Sequence, residues 1–574
     1  MSVVADPFAA SRAVGATGLL RAFNDIGLLS AADAHVAARL AELGEEQNDT
    51  VRLAVALAVR GPRLGHVFVD LATIRETANV ETEDPVDLPA LPWPDPSAWI
   101  AAVGSSALVA LGEDDPAAEA DRPLRLIGTR LYLDRYWREE RSVAADLNAL
   151  TKSRRLSVIA GGPGTGKTTR VARMVAELLE RAAGQGSRSP LIALAAPTGK
   201  AAARLQEAVH DEAARMPVGD EVQARLMDLR ASTVHRLLGR RPGSHSRFAH
   251  HRLSRLPQDV VIVDETSMVS LSLMARLVEA VRPEARLVLV GDPGQLTSIE
   301  AGVVLGDIVG ASGSAIQQSI VVLERVHRYG GGIARLADAV RRGDGDAAVA
   351  ALGAAPGEVT WLAVDDEEGV TDGELRPVRE RAVAAGAAVV AAARAGAPRE
   401  ALEALGRFRL LCAHRRGPHG VSDWSARVRG WLSAEIADLD VEQPDYVGRP
   451  LLITENDYEL GLYNGDTGVI VQDSPHRPSA VFERGHQLMH FSPLRLGAVD
   501  TVYAMTVHKS QGSQFDAAAV LQPSANSRIL TRELLYTAVT RARRELILVA
   551  SEDAVRRAVE RPVARASGLA ERLR

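Results

Sequence analysis

Short, largely apolar runs separated by helical patterns dominate the chain after residue 155. The runs cover residues 156–160, 191–196, 260–263, 287–290, 407–413, 517–520 and 546–550. Because they show little alternation of apolar and polar positions, they are typical of strands in a parallel sheet that is buried on both faces. The pattern therefore predicts an α/β protein with two parallel-sheet domains, at 121–342 and at 343–439 together with 501–574.

Two other stretches have a different pattern. Residues 12–60 repeat apolar positions at helical spacing with few breakers, which predicts a mainly helical N-terminal domain at 1–120. Its boundary falls in a segment rich in Pro and acidic residues, 77–122. Residues 440–500 contain short apolar segments around an Asn464-Gly465 turn. They predict a small antiparallel β-barrel, similar to an SH3 domain, inserted in the second sheet domain.

Composition is that of an ordinary globular protein, since 46% of the 574 residues are hydrophobic and 24% are charged. No apolar run approaches the roughly 20 residues that a membrane span needs, and the N-terminus lacks a signal-peptide pattern. We therefore expect a cytoplasmic protein that does not contact a membrane. The single cysteine, Cys412, excludes internal disulfides and cysteine-ligated metal sites, and its apolar neighbours predict a core position.

Charge is distributed unevenly along the chain. The formal net charge is −6, yet residues 1–120 hold 18 acidic and 7 basic side chains, while the rest holds 55 acidic and 60 basic ones. An acidic front domain is thus joined to a mildly basic remainder. This balance favours a protein partner, rather than a phosphate backbone, for the N-terminal domain.

Residues 161–168, GGPGTGKT, form a Gly-x-x-x-x-Gly-Lys-Thr phosphate loop between an apolar run and a helical stretch. Its glycines let backbone N–H groups curl around phosphate oxygens, and the following helix directs its positive end at the same anion. Lys167 can reach the β and γ phosphates, and the Thr168 hydroxyl can ligate Mg²⁺. The predicted nucleotide-binding residues are Gly161, Gly162, Pro163, Gly164, Thr165, Gly166, Lys167, Thr168 and Thr169.

Further candidate catalytic groups follow the predicted strands. Asp264 and Glu265 come directly after the run 260–263, where Asp264 would hold Mg²⁺ and Glu265 would polarise the attacking water. Gln295 follows the run 287–290, and a neutral amide can sense the γ-phosphate or orient the water. Two arginines, Arg328 and Arg541, are candidates for neutralising charge on the phosphoryl oxygens. Taken without its context, Arg541 at the end of an apolar helix is better interpreted as a surface charge.

Seven motifs occur in the order found in superfamily 1 helicases. They are GGPGTGKT (161–168), APTGKAAARL (196–205), VIVDETSMV (261–269), GDPGQL (291–296), LERVHRY (323–329), YAMTVHKSQGSQFD (503–516) and LLYTAVTRAR (534–543). The set resembles the 5′→3′ branch of that superfamily and, within it, the alpha subunits of exodeoxyribonuclease V, the RecD family. Further similarity lies in LYLDRYWREE (131–140), ENDYELGLYNGDTG (455–468) and RASGLAERL (565–573).

The resemblance implies two RecA-like domains that bind one ATP between them, with Arg328 and Arg541 reaching the γ-phosphate across the cleft. Single-stranded DNA would then run along the top of both domains. The implied DNA contacts are Thr198, Lys200, Thr233, His235, Thr506, His508 and Lys509. Residues 229–258, with seven Arg, four His and no acidic residue, add a candidate for part of the DNA path.

The chain departs from the family pattern at three places. No glutamine lies between Gln47 and Gln185, which puts in doubt the recognition of adenine by an upstream glutamine. Gly294 stands where the third motif often has a second acid. Gln514 stands where a glutamate is usual, although its amide can still bond a ribose hydroxyl, so Gln514 is also counted among the nucleotide-binding residues.

The resemblance implies an ATP-dependent, Mg²⁺-requiring 5′→3′ DNA helicase. It would act on single strands and duplex ends as the alpha subunit of a RecBCD-type helicase–nuclease, in a heterotrimer with RecB-like and RecC-like subunits at the nucleoid. The N-terminal domain would dock a partner, and no cluster of acids and lysine suggests a nuclease site in this chain. Two alternatives stay open: a stand-alone RecD-like helicase, and a regulatory ATP-binding subunit with little turnover.

Overall fold

A computed structural model of the chain describes residues 12–78, 87–114, 122–239, 247–323, 331–355, 357–365, 371, 373–457, 459–474, 477–485 and 487–574. Within these residues the strands form four sheets. Two are wholly parallel and carry the candidate chemistry, and the other two belong to the N-terminal unit and to the insert.

The described part of the N-terminal unit packs helices against a four-stranded sheet. The elements are α1 (Gly18–Asp25), α2 (Ala31–Leu43), α3 (Asp49–Arg63), β1 (Phe68–Asp70), α4 (Ile74–Thr77), α5 (Pro96–Gly104), β2 (Val109–Leu111), β3 (Leu124–Ile127) and β4 (Arg130–Leu133). The strand order is β1-β4-β3-β2. Phe23 and Trp99 lie in its core. The predicted helices are confirmed, and the sheet draws in two strands from beyond residue 120.

The first parallel sheet has six strands in the order β10-β5-β9-β8-β6-β7, as expected for a RecA-like domain. Its elements are α6 (Asp134–Lys152), β5 (Leu156–Gly161), α7 (Lys167–Gly184), β6 (Ile192–Ala196), α8 (Gly199–Ala213), α9 (Asp220–Asp228), β7 (Ala231–Thr233), α10 (Val234–Leu237), β8 (Val260–Val263), α11 (Leu271–Ala280), β9 (Arg286–Gly291), α12 (Val304–Gly310) and β10 (Ile320–Leu323). Apolar side chains cover both faces, which explains the continuous apolar runs.

The second parallel sheet has five strands in the order β11-β20-β19-β12-β18. Its elements are α13 (Gly331–Arg342), α14 (Gly345–Gly353), β11 (Val359–Ala363), α15 (Arg376–Arg394), α16 (Pro398–Arg407), β12 (Phe408–Cys412), α17 (Val421–Glu435), β18 (Ala504–Thr506), β19 (Phe515–Leu521), α18 (Arg532–Val539), β20 (Ala542–Ala550) and α19 (Glu552–Glu560). The last helix, α20 (Leu569–Arg572), packs on α6 and α12 of the first sheet domain instead. Cys412 is fully buried in this domain, as predicted. The two predicted parallel sheets are therefore confirmed.

The insert differs from the predicted barrel. Its strands are β13 (Pro450–Ile453), β14 (Thr467–Ser474), β15 (Arg477–Arg484), β16 (Gln487–Phe491) and β17 (Val499–Thr501). They form one antiparallel sheet in the order β16-β15-β14-β13-β17, and its edge strands do not pair with each other in the described residues. The short apolar segments and the turn predicted antiparallel strands, which are confirmed, whereas closure requires a long-range pairing between β16 and β17 that the sequence does not encode locally.

The C-terminal tail returns to the N-terminal unit and to the first sheet domain. The Val67 N–H donates to the Ala566 carbonyl at 2.7 Å, and the Arg572 guanidinium pairs with Glu113 and Glu140. The last residues thus join parts of the chain that are distant in sequence. In the described residues no helix has the length and apolar character to cross a membrane.

Candidate nucleotide and DNA sites

The phosphate loop lies where β5 ends at Gly161 and α7 begins at Lys167. Gly164 and Gly166 have φ angles of 79° and 83°, which glycine adopts without strain. The loop also has no room for a side chain at Gly161, because a Cβ there would lie 2.7 Å from the Thr165 hydroxyl. The glycines are therefore required by the backbone path that exposes the loop's N–H groups.

The ammonium of Lys167 is held inside this loop. Its Nζ donates to the carbonyls of Gly161 at 2.6 Å and Gly162 at 2.9 Å. These are two neutral acceptors for a full positive charge, so a phosphate oxygen would be a stronger partner at the same place. Together with the glycine backbone and the N-terminus of α7, this arrangement fits a nucleotide phosphate.

Two carboxylates follow β8 at the same edge of the sheet, because the carboxyl ends of parallel strands meet there. Burial, and next the neighbouring Glu265, raises the pKa of Asp264 to about 6, while Lys167 acts in the opposite direction. Glu265 has a φ of 51°, a left-handed conformation that is unfavourable for a residue other than glycine. Such strain is common at functional sites, where the surrounding structure enforces it.

The donor set fits Mg²⁺ held mainly by a nucleotide. Among the described residues, no three His, Cys, Asp or Glu side chains converge to hold a metal on their own. Thr168 lies in the first turn of α7, and Asp264 follows β8 at the same sheet edge. One hydroxyl and one carboxylate, supplemented by phosphates and waters, are the usual protein ligands of Mg²⁺ in such sites.

Asp292 and Gln295 form a buried pair after β9. The Gln295 Nε2 donates to Asp292 Oδ2 at 3.1 Å, and the Gly294 N–H donates to Asp292 Oδ1 at 3.0 Å. The Gln295 Oε1 is buried and has no hydrogen-bond partner in the described residues. Because a buried acceptor without a partner is costly, this oxygen is available for a group that the bound nucleotide or its water would supply.

The second sheet domain contacts this pair directly. The Tyr536 hydroxyl donates to Asp292 Oδ2 at 3.2 Å, and the Leu296 N–H donates to the Thr537 hydroxyl at 2.9 Å. The Gln511 side chain donates to the Leu296 carbonyl at 2.8 Å. The residues between β9 and α12 are therefore held by both domains.

Of the two candidate arginines, only Arg541 lies within the described residues. Arg541 is buried in the second domain, where it donates to the Thr537 and Ser513 carbonyls. Arg328 lies outside the described residues. Gln514 accepts a hydrogen bond from Arg543 at 3.4 Å.

Arg204, on α8, is an additional cation near Glu265, Arg541 and Arg543, and its side chain is partly exposed to solvent. Burial lowers its pKa to about 10, with Arg543 and Arg541 acting in the same direction and Glu207 and Glu265 opposing them. Sequence inspection missed Arg204 because it lies among alanines on a helical face.

All seven predicted DNA contacts line one cavity of about 1350 Å³ between the two sheet domains and the insert. The residues are Thr198, Lys200, Thr233, His235, Thr506, His508 and Lys509. Residues that the sequence did not single out share the same wall: Arg230, Arg236, Ile299, Arg415, Tyr463 and Arg484. Two of these, Arg230 and Arg236, belong to the basic run 229–258, so the charge pattern of the sequence could have identified them.

Other arginines of the basic run 229–258 contact the protein instead of the cavity. Arg252 pairs with Asp146 on α6 at 2.6 Å, and Arg255 donates to the Val281 carbonyl just after α11. These two arginines stabilise the fold, while Arg230 and Arg236 face the cavity.

The insert closes one side of the cavity by contacting α8. The Lys200 Nζ donates to the Gly465 carbonyl at 2.9 Å, and the Gly485 N–H donates to Glu207 at 2.8 Å. Tyr463 packs on Gly199, where an added Cβ would lie 2.6 Å from the ring. The cavity is therefore a channel with walls from three parts of the chain.

Comparison with known proteins identifies the family. The sequence matches the RecBCD enzyme subunit RecD N-terminal domain over residues 25–132, the AAA domain over 142–364 and the UvrD-like helicase C-terminal domain over 501–549. A RecBCD enzyme subunit RecD from Mycolicibacterium smegmatis is 48% identical over 97% of this chain and 99% of its own length. The chain belongs to the RecD family.

Two further relatives show how far the similarity extends. RecBCD enzyme subunit RecD from Mycobacterium tuberculosis is 48% identical over 98% of this chain and 98% of its own length. The ATP-dependent RecD2 DNA helicase of Deinococcus radiodurans is 30% identical over 73% of this chain, but only 50% of its own length is covered. The similarity to these two RecD subunits thus extends over nearly the whole chain, including the N-terminal unit.

Proposed function

We propose that this RecD-family chain is an ATP-dependent 5′→3′ DNA helicase that serves as the alpha subunit of a RecBCD-type helicase–nuclease at duplex DNA ends. The observation that supports it most is the path of residues 291–302. Asp292 and Gln295 lie at the nucleotide end of this segment, and Thr297 to Glu300 line the DNA channel. A change at the γ-phosphate can therefore move the DNA contacts through one short stretch of backbone.

Each candidate side chain has a distinct part in this proposal. Lys167 and the loop glycines bind the phosphates, and Thr168 with Asp264 would hold Mg²⁺, which neutralises charge on the phosphate oxygens. Glu265 accepts the proton of the attacking water, and Gln295 orients that water. Arg541 and Arg328 are proposed to stabilise the γ-phosphate after the domains close, which requires Arg541 to leave its present carbonyl partners.

The partner role is supported by the full-length match to subunits named RecBCD enzyme subunit RecD and by the acidic N-terminal unit. We propose RecB-like and RecC-like chains as the partners. A stand-alone helicase is the second candidate, favoured only by the similarity to the RecD2 helicase, which covers half of that protein. A chain that unwinds 5′-tailed duplexes alone, and does not co-purify with RecB-like and RecC-like chains, would decide for the stand-alone helicase.

The motor role is tested by Lys167→Gln in the assembled complex. We expect loss of this chain's ATP hydrolysis and of unwinding from 5′ tails by about 100-fold or more, because removing a transition-state charge contact costs several kcal/mol. Co-purification with the partners should be unchanged. Lys152→Gln, at the exposed end of α6, is the matched control and should keep full activity. Unimpaired 5′-tail unwinding by the Lys167→Gln complex would instead favour a regulatory subunit.

A further inference from the structure

Tyr536 connects the second sheet domain to both nucleotide-site loops of the first. It lies on α18, is 4% exposed, and donates its hydroxyl to Asp292 Oδ2 at 3.2 Å. A Cβ at Gly162 would lie 2.8 Å from this hydroxyl, and a Cβ at Gly294 would lie 3.4 Å from the Tyr536 ring. The ring therefore fills the space between the phosphate loop and the loop after β9.

The hydrogen bonds at Asp292 decide which end of the Gln295 amide is bound to protein and which end is left without a partner in the described part of the chain. A carboxylate accepts hydrogen bonds and cannot donate them, so Asp292 Oδ2 must hold the amide nitrogen of Gln295. That leaves the amide oxygen, an acceptor without a partner in the described residues, free to accept from a water. The same Oδ2 accepts from Tyr536, so the domain contact and the amide orientation depend on one oxygen atom.

We propose that Tyr536 is a positioning residue that makes the hydrolytic geometry of Asp292 and Gln295 depend on contact between the two sheet domains. The proposal rests on the proposed ATPase. In the reaction, a water held by Gln295 attacks the γ-phosphorus and gives its proton to Glu265, while the bond to the β,γ-bridging oxygen breaks. ADP and phosphate are released. When the domains separate, Asp292 loses one of its donors, and the Gln295 oxygen is less firmly directed at the water.

The first test is Tyr536→Phe in the full chain, which removes the hydroxyl and keeps the ring. We expect the kcat of DNA-stimulated ATP hydrolysis to fall about tenfold, as for loss of one hydrogen bond to a charged group, with KM for ATP changed less than about twofold. The affinity for ADP with aluminium fluoride should fall by a similar factor, while the affinity for ADP alone stays constant. Tyr503→Phe is the matched control, since that buried hydroxyl of the same domain pairs with Tyr446 instead.

A double-mutant cycle separates positioning from simple docking. If Tyr536 acts through Asp292, adding Tyr536→Phe to Asp292→Asn should cause little further loss, because the shared hydrogen bond is already disturbed. Thr537→Val removes a neighbouring cross-domain contact that does not involve Asp292, so its effect should multiply with that of Asp292→Asn. Multiplicative losses for Tyr536→Phe with Asp292→Asn, or equal weakening of ADP with and without aluminium fluoride, would overturn the inference.

The outcome also separates this inference from the proposed function. A wild-type chain that binds nucleotide but does not hydrolyse it with DNA would overturn the proposed motor. The affinity for ADP with aluminium fluoride, divided by the affinity for ADP alone, would then test the role of Tyr536 without any hydrolysis. An unchanged ratio in Tyr536→Phe would refute it.

Discussion

At the scale of the residue, the ammonium of Lys200 has a protein partner in the structure and a DNA phosphate as its proposed ligand. It donates to the Gly465 carbonyl at the edge of the channel. Burial, and next the nearby Arg204, lowers the pKa of Lys200 to about 7, with Asp466 opposing and Arg409 adding to the shift. A phosphate would favour the charged form, so DNA binding above pH 7 requires the uptake of a proton.

This linkage gives a pH prediction for DNA binding. Between pH 7 and 9 the affinity of the wild-type chain for single-stranded DNA should fall by up to about tenfold per pH unit, because the free lysine is mostly neutral there. Lys200→Met should bind less tightly at pH 6.5 and show a flatter profile, as measured by fluorescence anisotropy at constant ionic strength. Lys152→Met should keep the wild-type profile. Identical slopes for wild type and Lys200→Met would contradict the assignment.

A site residue could be predicted when the sequence pattern that marks it lies close to it in the chain. Lys167, Asp264 and Gln295 follow strands at motif spacing, so the sequence alone brought them to one sheet edge. Tyr536 was not predicted, because the pattern of LLYTAV is that of a buried helix. The role of its hydroxyl depends on Asp292, which belongs to another domain and lies beside it only in the folded chain. Arg541 was expected to reach the ATP, but the described structure holds it within its own domain.

At the scale of the element, the contact of the insert with α8 determines whether the DNA channel is closed. Gly199→Ala tests this contact, because the new methyl group would lie 2.6 Å from the Tyr463 ring, while alanine itself suits the first turn of a helix. We expect the insert to be displaced and single-stranded DNA to dissociate several times faster in stopped-flow experiments. Gly184→Ala, at the end of α7 with open space around it, is the matched control and should leave dissociation unchanged. Equal dissociation rates for both variants would show that the contact does not retain DNA.

The elements that the sequence predicted well are those with a continuous apolar run, such as β5, β8 and β9, since burial on both faces leaves a strong signal. The short strands β7 and β10 escaped, because β7 is only half-buried and β10 is an edge strand with Val322 54% exposed. The insert shows what local sequence patterns cannot predict. Its antiparallel strands were predicted from short apolar segments and a turn, but whether the sheet closes depends on two edge strands that are distant in sequence.

At the scale of the whole molecule, the C-terminal tail fastens the N-terminal unit and the first sheet domain to each other. Ser567 in this tail faces two carboxylates, with its hydroxyl 2.7 Å from Asp307 on α12 and 3.1 Å from Glu140 on α6. A hydroxyl has one proton and can donate to only one of them. The second contact is therefore favourable only when one carboxyl group is protonated or replaced by a donor.

The tail contact should accordingly strengthen in acid. Burial raises the pKa of Asp307 to about 6 from its usual 3.8, with Glu140 adding to the shift and the Ser567 hydrogen bond opposing it. Because the folded state holds this proton more tightly than the unfolded state, the contribution of Asp307 to stability is present below about pH 4 and is lost as pH rises through 6. Asp307→Asn supplies a neutral amide donor, so we expect it to stabilise the chain at pH 8 by up to about 3 kcal/mol and to raise Tm. At pH 5 the gain should fall to about half of that value, because folded Asp307 is then largely protonated while unfolded Asp307 is still mostly ionised. An equal gain at both pH values would mean that packing, and not the buried charge, separates the variant from the wild type.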